Sequence, residues 1–259
     1  MIVLLPPSEG KTAPTVGAPL ELSDLANECL TPAREQLLDA LIRMCTRTPT
    51  KARTVLGLSP NQRDEVSANA GLATANTAPA WQVYTGVLFG ALDFGSLSAA
   101  ARKRAANRLL ITSSLFGIVR PDDPIVAYRL SGDVTLPKVG KVDRFWRHHL
   151  GLALSDSIGD GLVIDMRSGT YVKFWPIPPH LASQALTVKI WQLGPNGSRT
   201  AVSHHNKAAK GDLARLLATT TSAPRTRSAI VDLLRDHNWD AQLSVDPKIG
   251  HDRLDVTID

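Results

Sequence analysis

The chain has 259 residues, enough for one large domain or two small ones. Hydrophobic residues make up 43% of it and charged residues 20%, which excludes a disordered protein and indicates an ordinary globular one. The formal net charge of +5 comes mostly from arginine and favours an anionic partner without naming one.

The cysteines and the N-terminal run indicate the compartment. Cys29 and Cys45 form no CxxC pair, so we expect two buried free thiols in a reducing environment. The apolar run 1–5 is too short for a signal peptide, and no run approaches the length of a membrane span. These features predict a cytoplasmic protein with no membrane partner.

Strand and helix signals alternate along the first half of the chain. They are apolar runs, helical spacing of apolar residues, capping residues and prolines. They predict a strand at Ile2–Leu5, a helix starting with Thr31 as N-cap and Pro32, a short helix opened by the capping box 59–62, a helix over 81–92 and a helix from Ser98 through Leu109.

The stretch 109–130 combines an apolar run with a stiff turn. We expect a buried strand that ends at Gly117, followed by a turn in which Pro121 and Pro124 fix the backbone. This turn presents Tyr128 and Arg129 beyond the strand, an arrangement suited to anion binding. Simple packing of the turn is the alternative interpretation.

The second half predicts further strands and helices. Strand-like runs occur at 162–166, 171–175, 187–193 and 200–204, the last two joined by a hairpin at 194–198; helices are expected over 206–218 and 224–237, and a final strand over 254–258. The fold class is therefore α/β (mixed α+β). We expect a single compact domain over 1–259, with a mixed central sheet, flanking helices and a helical insertion at about 20–75.

Several standard enzyme motifs are absent from the sequence. Gly10-Lys11-Thr12 resembles the end of a phosphate-binding loop, but the glycine required five residues earlier is Leu5. There is no GxSxG elbow and no GxGxxG fingerprint, so neither a hydrolase of that type nor a dinucleotide cofactor is indicated. Lys11 still follows a buried strand, where it could reach a pocket or remain a solvated loop lysine.

The histidines show no metal-binding spacing. His204 and His205 are adjacent on a predicted strand and would point to opposite faces, and His148 and His149 are adjacent as well. We therefore expect no metal and no cofactor.

Two basic regions are candidate anion sites. Lys207, Lys210 and Gly211 are expected to open a helix, where free backbone N–H groups and the helix dipole favour an anion. The second region could contact a phosphate backbone and consists of Arg102, Lys103, Arg104, Arg108 and Arg120. A solvated helix start and a solvated helix face are the respective alternatives.

Several separated words of the sequence match one family in order and spacing. They are Val83-Tyr84-Thr85-Gly86, Leu115-Phe116-Gly117-Ile118-Val119-Arg120-Pro121, Ala127-Tyr128-Arg129-Leu130, Phe145-Trp146, Val163-Ile164-Asp165 before Tyr171-Val172-Lys173, and Lys207-Ala208-Ala209-Lys210-Gly211. Together they resemble the YaaA family of bacterial peroxide-stress proteins over nearly the whole chain. The chain departs from the family pattern at Phe116, where the family has tyrosine, at Gly169-Thr170, where it has an acidic pair, and at Lys210, where it has arginine.

The resemblance implies a cytosolic protein induced by hydrogen peroxide that limits damage by lowering reactive iron. It also implies a positively charged cleft that binds duplex DNA, and a helix-hairpin-helix-like element. On this chain the element would lie at 51–70 with Gly57 in the hairpin, unless Gly57 simply ends a helix.

Two hypotheses of different classes follow. The first is a non-enzymatic protein that binds duplex DNA or another polyanion. The second is an enzyme acting on a small anionic, nucleotide-like substrate, with Lys11, Tyr84, Tyr128 and Lys207 as candidate catalytic residues. In either case the candidate anion-binding residues are Lys11, Thr85, Arg120, Arg129, Lys173, Lys207, Lys210 and Gly211. Direct iron binding is the least supported hypothesis. We expect the protein to be a monomer.

Overall fold

Short strands in one mixed sheet organise the chain. The computed structural model describes residues 1–194, 198–200, 203–246 and 252–258. The strands are β1 (Ile2–Leu5), β2 (Ala78–Pro79), β3 (Leu109–Ser113), β4 (Gly117–Val119), β5 (Pro124–Ile125), β6 (Thr135–Leu136), β7 (Gly140–Lys141), β8 (Val163–Asp165), β9 (Ala185–Leu193), β10 (Arg199–Thr200), β11 (Asp240–Val245) and β12 (Asp252–Ile258).

The centre of the sheet is parallel and its edges are antiparallel. In the main sheet the strand order is β11-β12-β9-β8-β1-β3-β4, with β10 paired to β9, whereas β2–β5 and β6–β7 form two separate two-stranded sheets. Strands β3, β1, β8, β9 and β12 run parallel, whereas β4, β10 and β11 pair antiparallel. Every residue of β1 and β3 is buried, as expected for parallel strands whose continuous apolar sequences are covered on both faces.

Helices cover this sheet. They are α1 (Thr31–Arg47), α2 (Pro49–Val55), α3 (Asp64–Ala70), α4 (Ala80–Val83), α5 (Val87–Leu92), α6 (Ala99–Arg108), α7 (Val142–Ile158), α8 (Ser203–Thr219) and α9 (Arg227–Asp236). Helices α6 and α8 contact β1, and α7 contacts β4. The mixed α/β class with a mixed central sheet and flanking helices is thus confirmed.

Two of the helix-capping motifs predicted in the first half of the chain are confirmed. The Ser98 hydroxyl accepts a hydrogen bond from Ala101 N at the start of α6, as predicted. The backbone N–H of Ser59 donates to Gln62 Oε1 at 3.1 Å, which confirms the capping box. Thr31 is already the first residue of α1 and not its N-cap.

The apolar run before Gly117 is not one strand, so that prediction was wrong. Strand β3 ends at Ser113, whose hydroxyl accepts a hydrogen bond from Phe116 N at 3.0 Å and closes a tight turn. Gly117 then begins the antiparallel β4 with φ +77°. A Cβ there would lie 2.7 Å from the Trp146 ring, so only glycine allows this turn to pack against α7.

The expected helix over 81–92 is also interrupted. Helix α4 ends at Val83 and α5 starts at Val87, with Gly86 at φ +101° between them. Tyr84 takes an extended conformation and pairs with Lys11 in an isolated antiparallel bridge. A contact with a distant loop therefore overrides the local helical pattern.

Three more predicted elements differ from the structure. Residues 171–175 are not a strand but belong mostly to a 3₁₀ helix, Gly169–Phe174. The strand expected over 200–204 is limited to β10 in the described residues, because α8 already begins at Ser203; positions 201 and 202 lie outside them. The hairpin prediction agrees with the antiparallel pairing of β9 and β10, although 195–197 also lie outside the described residues. Helix α7 and strand β11 were not predicted.

The helical segment between β1 and β2 holds α1, α2 and α3. Gly57, at φ +65°, ends α2 in a Schellman arrangement: Gly57 N donates to Thr54 O at 3.1 Å and Leu58 N to Arg53 O at 3.0 Å. These amides are thus occupied by the helix end, which favours the C-terminal interpretation of Gly57. The single-domain prediction stays a prediction.

Exposure and helix length bear on two other expectations. Cys45 is buried as expected, but Cys29 is exposed, so the prediction of two buried thiols was wrong for Cys29. No helix in the described part of the chain is both long enough and apolar enough to cross a membrane.

Arg34 joins α1 to the edge of the sheet. Its side chain is completely buried and donates to Phe116 O at 3.1 Å, Ile118 O at 3.0 Å and Ala26 O at 2.7 Å. It therefore satisfies carbonyls on and beside β4, which is the edge strand of the sheet among the residues that the structure describes.

Replacing Arg34 should test this role. We expect Arg34→Met to lower the free energy of unfolding by about 3 kcal/mol or more, because buried carbonyls lose a charged donor. Urea denaturation at pH 7 measures this. The control is Arg43→Met, since Arg43 pairs with Asp39 on an exposed helix face, and it should change stability by less than about 1 kcal/mol. Equal losses for the two variants would contradict the assignment.

Candidate functional site

The carboxyl ends of three neighbouring parallel strands meet at one place. Strand β1 lies between β3 and β8, and the chain continues from these ends into Ser114, the loop 6–11 and Met166. Within this sheet the connection after β1 leads to β3 on one side, whereas the connection after β8 leads to β9 on the other side. A crevice is therefore expected outside the carboxyl ends of β1 and β8. The candidate site is built on this crevice.

Lys11 is held between two tyrosines in this crevice. Its Nζ lies 4.4 Å from the centre of the Tyr128 ring and 5.5 Å from that of Tyr84, and it donates to Ser8 O at 2.7 Å. Burial lowers the pKa of Lys11 to about 8; the positive charge of Arg129 acts in the same direction and the carboxylate of Glu9 opposes it. Lys11 is therefore mostly charged at neutral pH and has a usable neutral fraction.

The tyrosine hydroxyls form a buried chain with a serine. Tyr84 Oη lies 3.0 Å from Tyr128 Oη, which lies 2.8 Å from Ser113 Oγ. Burial raises the pKa of both tyrosines, so both hydroxyls stay protonated at neutral pH. In this arrangement the tyrosines fix the position of Lys11, and their own hydroxyls are already hydrogen-bonded.

Glu9 organises the outer part of the crevice. Its carboxylate lies 3.1 Å from Arg129 Nη1 and accepts a hydrogen bond from Tyr171 Oη at 3.3 Å. Thr85 lies beside it, since its N–H donates to Gly10 O at 3.1 Å. The segment 8–11 thus connects β1 to three separate regions of the chain.

A pocket of about 490 Å³ opens at residues 6–10, which lead directly to Lys11, and its volume is within the size range of small-molecule sites. We call it the strand-end pocket. Lysines and a carboxylate share its wall with apolar side chains: it is lined by Pro6, Pro7, Ser8, Glu9, Gly10, Val87, Leu88, Phe89, Ser168, Tyr171, Asn206, Lys207 and Lys210. Phe89 also stacks on Tyr84, so the pocket adjoins the tyrosine pair.

The two lysines of the pocket differ in what they contact. Lys207 is exposed, whereas Lys210 is buried and donates to Met166 O at 2.9 Å. Burial lowers the pKa of Lys210, and the nearby carboxylate of Asp165 opposes this shift. Lys207 is therefore the more available cation for a ligand.

Asp165 and Arg167 form a buried ion pair beneath the pocket. Arg167 donates to Asp165 through Nη2 at 2.8 Å and Nε at 2.9 Å, and also to Trp175 O at 2.9 Å. Burial alone would raise the pKa of Asp165, but the charge and hydrogen bonds of Arg167 outweigh it and the pKa is lowered. The pair anchors the chain that follows β8.

The lysine cluster of α8 does not lie at a helix start, so that part of the prediction was wrong. Helix α8 begins at Ser203, which places Lys207 and Lys210 in its second and third turns. The free N–H groups of the first turn therefore do not lie beside these lysines, and the two cannot form one anion site as predicted. Gly211 has a packing role: a Cβ there would lie 2.3 Å from Leu88 O on α5. His204 and His205 also lie on this helix and not on a strand.

Most of the second basic region is engaged inside the protein. Arg104 and Arg108 donate to carbonyls at the C-terminal end of α8, for example Arg104 Nε to Thr219 O at 2.9 Å and Arg108 Nη1 to Thr220 O at 2.6 Å. Arg102 donates to Gly95 O at 2.9 Å. These side chains satisfy carbonyls that a helix or turn leaves open and that also favour positive charge.

The structure brings together only some of the predicted site residues. Lys11, Tyr84, Thr85, Tyr128, Arg129, Lys207 and Lys210 lie in or beside the strand-end pocket. Arg120 instead donates to Ala106 O and Asn107 Oδ1 at the end of α6. Lys173 is exposed, and its side chain makes no hydrogen bond or ion pair within the described residues. Their anion-binding roles stay predictions.

Several residues of the site were not predicted from the sequence. These are Ser8, Glu9, Ser113, Asp165, Arg167 and Tyr171. The available signal was their position, since all follow or end strands that run parallel and adjacent. Within the described ranges, no group of three or more His, Cys, Asp or Glu side chains is arranged to hold a metal ion.

Similarity to known proteins identifies the family of the chain. A family model described as peroxide stress protein YaaA matches residues 1–236. The chain belongs to this family. The match covers the strand-end pocket and every predicted site residue, so this membership supports a role in peroxide stress for the chain.

Bacterial relatives agree with this membership. A UPF0246 protein of Streptomyces coelicolor is 43% identical over 259 residues, which cover 100% of this chain and 98% of that protein. A UPF0246 protein of Corynebacterium efficiens is 40% identical over 237 residues, or 91% of this chain and 92% of that protein. A UPF0246 protein of Shewanella oneidensis is 29% identical over 188 residues, or 68% of this chain and 72% of that protein.

The Asp165–Arg167 pair predicts a pH-dependent loss of stability. We expect Asp165→Asn to lower the free energy of unfolding at pH 7 by about 3 to 5 kcal/mol, because Arg167 remains buried without its partner. Since the folded-state pKa of Asp165 is lowered, the wild-type contribution is present above about pH 4 and is lost as pH falls further.

Urea denaturation of both proteins between pH 3 and pH 7 tests this prediction. The difference between them should narrow below about pH 4. The double variant Asp165→Asn/Arg167→Met is the control and should recover part of the loss. A difference that stays constant with pH would contradict the assignment.

Proposed function

We propose that this member of the peroxide-stress family binds and acts on a small anionic, nucleotide-like ligand in the strand-end pocket, in the bacterial cytoplasm. One observation carries the proposal: Lys11, a partly buried lysine whose pKa is lowered to about 8, directly follows residues 6–10, which line a concave pocket of about 490 Å³. Perturbed titratable groups beside a pocket are typical of functional sites.

The residues of the pocket support distinct roles. Lys207 is an exposed cation that can attract an anion, and charged Lys11 stabilises negative charge on the bound ligand. In its neutral form Lys11 can accept a proton as a general base. Tyr84 and Tyr128 hold Lys11 in place, and Arg129 fixes Glu9 at the outer part of the crevice.

Apolar wall residues favour a ligand with a flat or apolar portion. Leu88 and Phe89 on α5 face the same pocket as Lys207 on α8. A base or another aromatic ring could pack on this wall while its phosphate meets the lysines. This combination favours a nucleotide over a simple inorganic anion.

Duplex DNA is the second candidate ligand. The net charge of +5 supports it, as do the exposed cations Lys207, Arg53 and Arg63, the last two in the α2–α3 region. By covering DNA the protein would limit iron-dependent oxidative damage without holding iron itself. The internal use of Arg102, Arg104 and Arg108 removes one of the two basic regions expected to contact phosphates.

Binding of adenosine monophosphate by calorimetry tests the first candidate. We expect Lys11→Met to weaken binding about tenfold at pH 7, which corresponds to a lost interaction of about 1.4 kcal/mol with a charged donor. The variant should unfold close to the wild-type temperature, because Lys11 is only partly buried and Met keeps the apolar stem against the tyrosine rings. Wild-type affinity should fall as pH rises from 7 to 9, since Lys11 loses its proton.

Two variants complete this experiment. Lys207→Met should weaken binding to a similar degree. Lys103→Met should not, since Lys103 is an exposed lysine of α6 with no hydrogen bond or ion pair within the described residues. Affinity that does not change between pH 7 and pH 9 would contradict the role of Lys11.

Duplex binding measured against salt tests the second candidate. If the exposed cations contact phosphates, the logarithm of the affinity should fall linearly with the logarithm of salt concentration. Arg53→Ala should then reduce the slope of this salt dependence by about 1, whatever the base sequence of the duplex. An affinity that salt does not change would exclude the DNA interface.

A further inference from the structure

A second concave site lies away from the strand-end pocket, in the groove between α1 and the loop that joins β6 to β7. We call it the hairpin groove. Its volume is about 420 Å³, and it shares no lining residue with the strand-end pocket. Neither the family membership nor the proposed function assigns it a role.

The groove has an apolar floor. Ala40 and Met44 lie one turn apart on α1, and Val139 faces them from the β6–β7 loop. Met44 is buried in the hydrophobic core, and Ala40 and Val139 pack against it. The floor is thus a place where the core reaches a concave surface, and an apolar group could dock there without rearrangement.

Positive charges surround this floor. Arg47, Lys51 and Lys138 line the groove, and their side chains make no hydrogen bond or ion pair in the described part of the chain. Arg43 and Asp39 also line it, but they pair with each other, so the unpaired charges of the lining are the three cations. Arg47 lies in the last turn of α1, where it complements the helix dipole, but that role does not account for Lys51 and Lys138.

Lys138 adds its charge at a strained position. Its φ is +66°, in the left-handed region that favours glycine. A glycine would adopt this turn without strain, whereas the lysine brings a further cation to a groove that already holds several. Like charges repel across such a concave surface, and a bound anion would relieve that repulsion.

We propose that the hairpin groove binds a small phosphomonoester with an apolar body. The body packs on Ala40, Met44 and Val139, and the phosphate dianion is held by Arg47, Lys51 and Lys138. The volume of about 420 Å³ suits a ligand of this size and is too small for a folded partner.

Calorimetry with 2-naphthyl phosphate as the probe tests the proposal on the full chain. The wild type should bind it at least tenfold more tightly than inorganic phosphate and at least tenfold more tightly than 2-naphthol, because only the probe meets both the floor and the cations. Lys51→Met should weaken probe binding about tenfold. The control Lys103→Met should leave it unchanged.

Lys138→Gly separates binding from folding. It removes the cation and relieves the left-handed strain, so probe affinity should fall about tenfold while the unfolding temperature stays equal or rises. Loss of affinity together with a lower unfolding temperature would indicate a structural role for Lys138 and overturn its assignment to the groove.

Comparison with the strand-end pocket makes the result specific. If Lys207→Met abolishes probe binding and Lys51→Met does not change it, the probe occupies the strand-end pocket and the present proposal is wrong. Probe binding no tighter than that of inorganic phosphate also overturns it. If a short DNA duplex binds through Lys51 and Lys138 and the probe does not bind, the proposal is also wrong, and the groove instead contacts a nucleic-acid backbone.

Discussion

Burial of β1 between two parallel neighbours is the constraint on which the site depends. Because β3 and β8 pair with β1 in parallel along its length, the carboxyl ends of all three strands lie side by side. Lys11, Ser113 and Asp165, which are far apart in sequence, therefore come together at these ends. Each of these polar groups then needs a partner in a partly dry environment, which Tyr128, Arg167 and backbone carbonyls supply. The lowered pKa of Lys11 is a direct result of this burial.

Much of the fold could be predicted from local signals, and the errors have a common cause. The capping box at Ser59 and the cap at Ser98 act within one turn, so the sequence reveals them. The break at Tyr84 depends on pairing with Lys11, and the turn before Gly117 depends on the Trp146 ring. Both involve distant residues, which an apolar run does not show. The same reason applies to the site: Lys11 and Tyr128 could be named from the sequence, but Glu9 and Tyr171 required the fold.

Charge in the sequence also needs the structure before it indicates a partner. The arginines of α6 suggested a basic surface, but Arg104 and Arg108 hold the carbonyl end of α8. Arg34 does the same for the edge strand β4. Arginine is well suited to this because its guanidinium donates to several carbonyls at once. The cations left for a ligand are fewer than the net charge suggests, and several of them line two separate concave sites.

The close approach of α5 and α8 at Gly211 determines how the strand-end pocket can respond to its contents. Backbone of one helix touches backbone of the other there, with no side chain between them that could change rotamer. Phe89 and Lys210 therefore belong to a single stiff wall of the pocket. The Phe89 ring also stacks on Tyr84, so the position of this wall fixes that of the Tyr84 ring. If the proposed ligand binds here, this wall sets a fixed limit on its size.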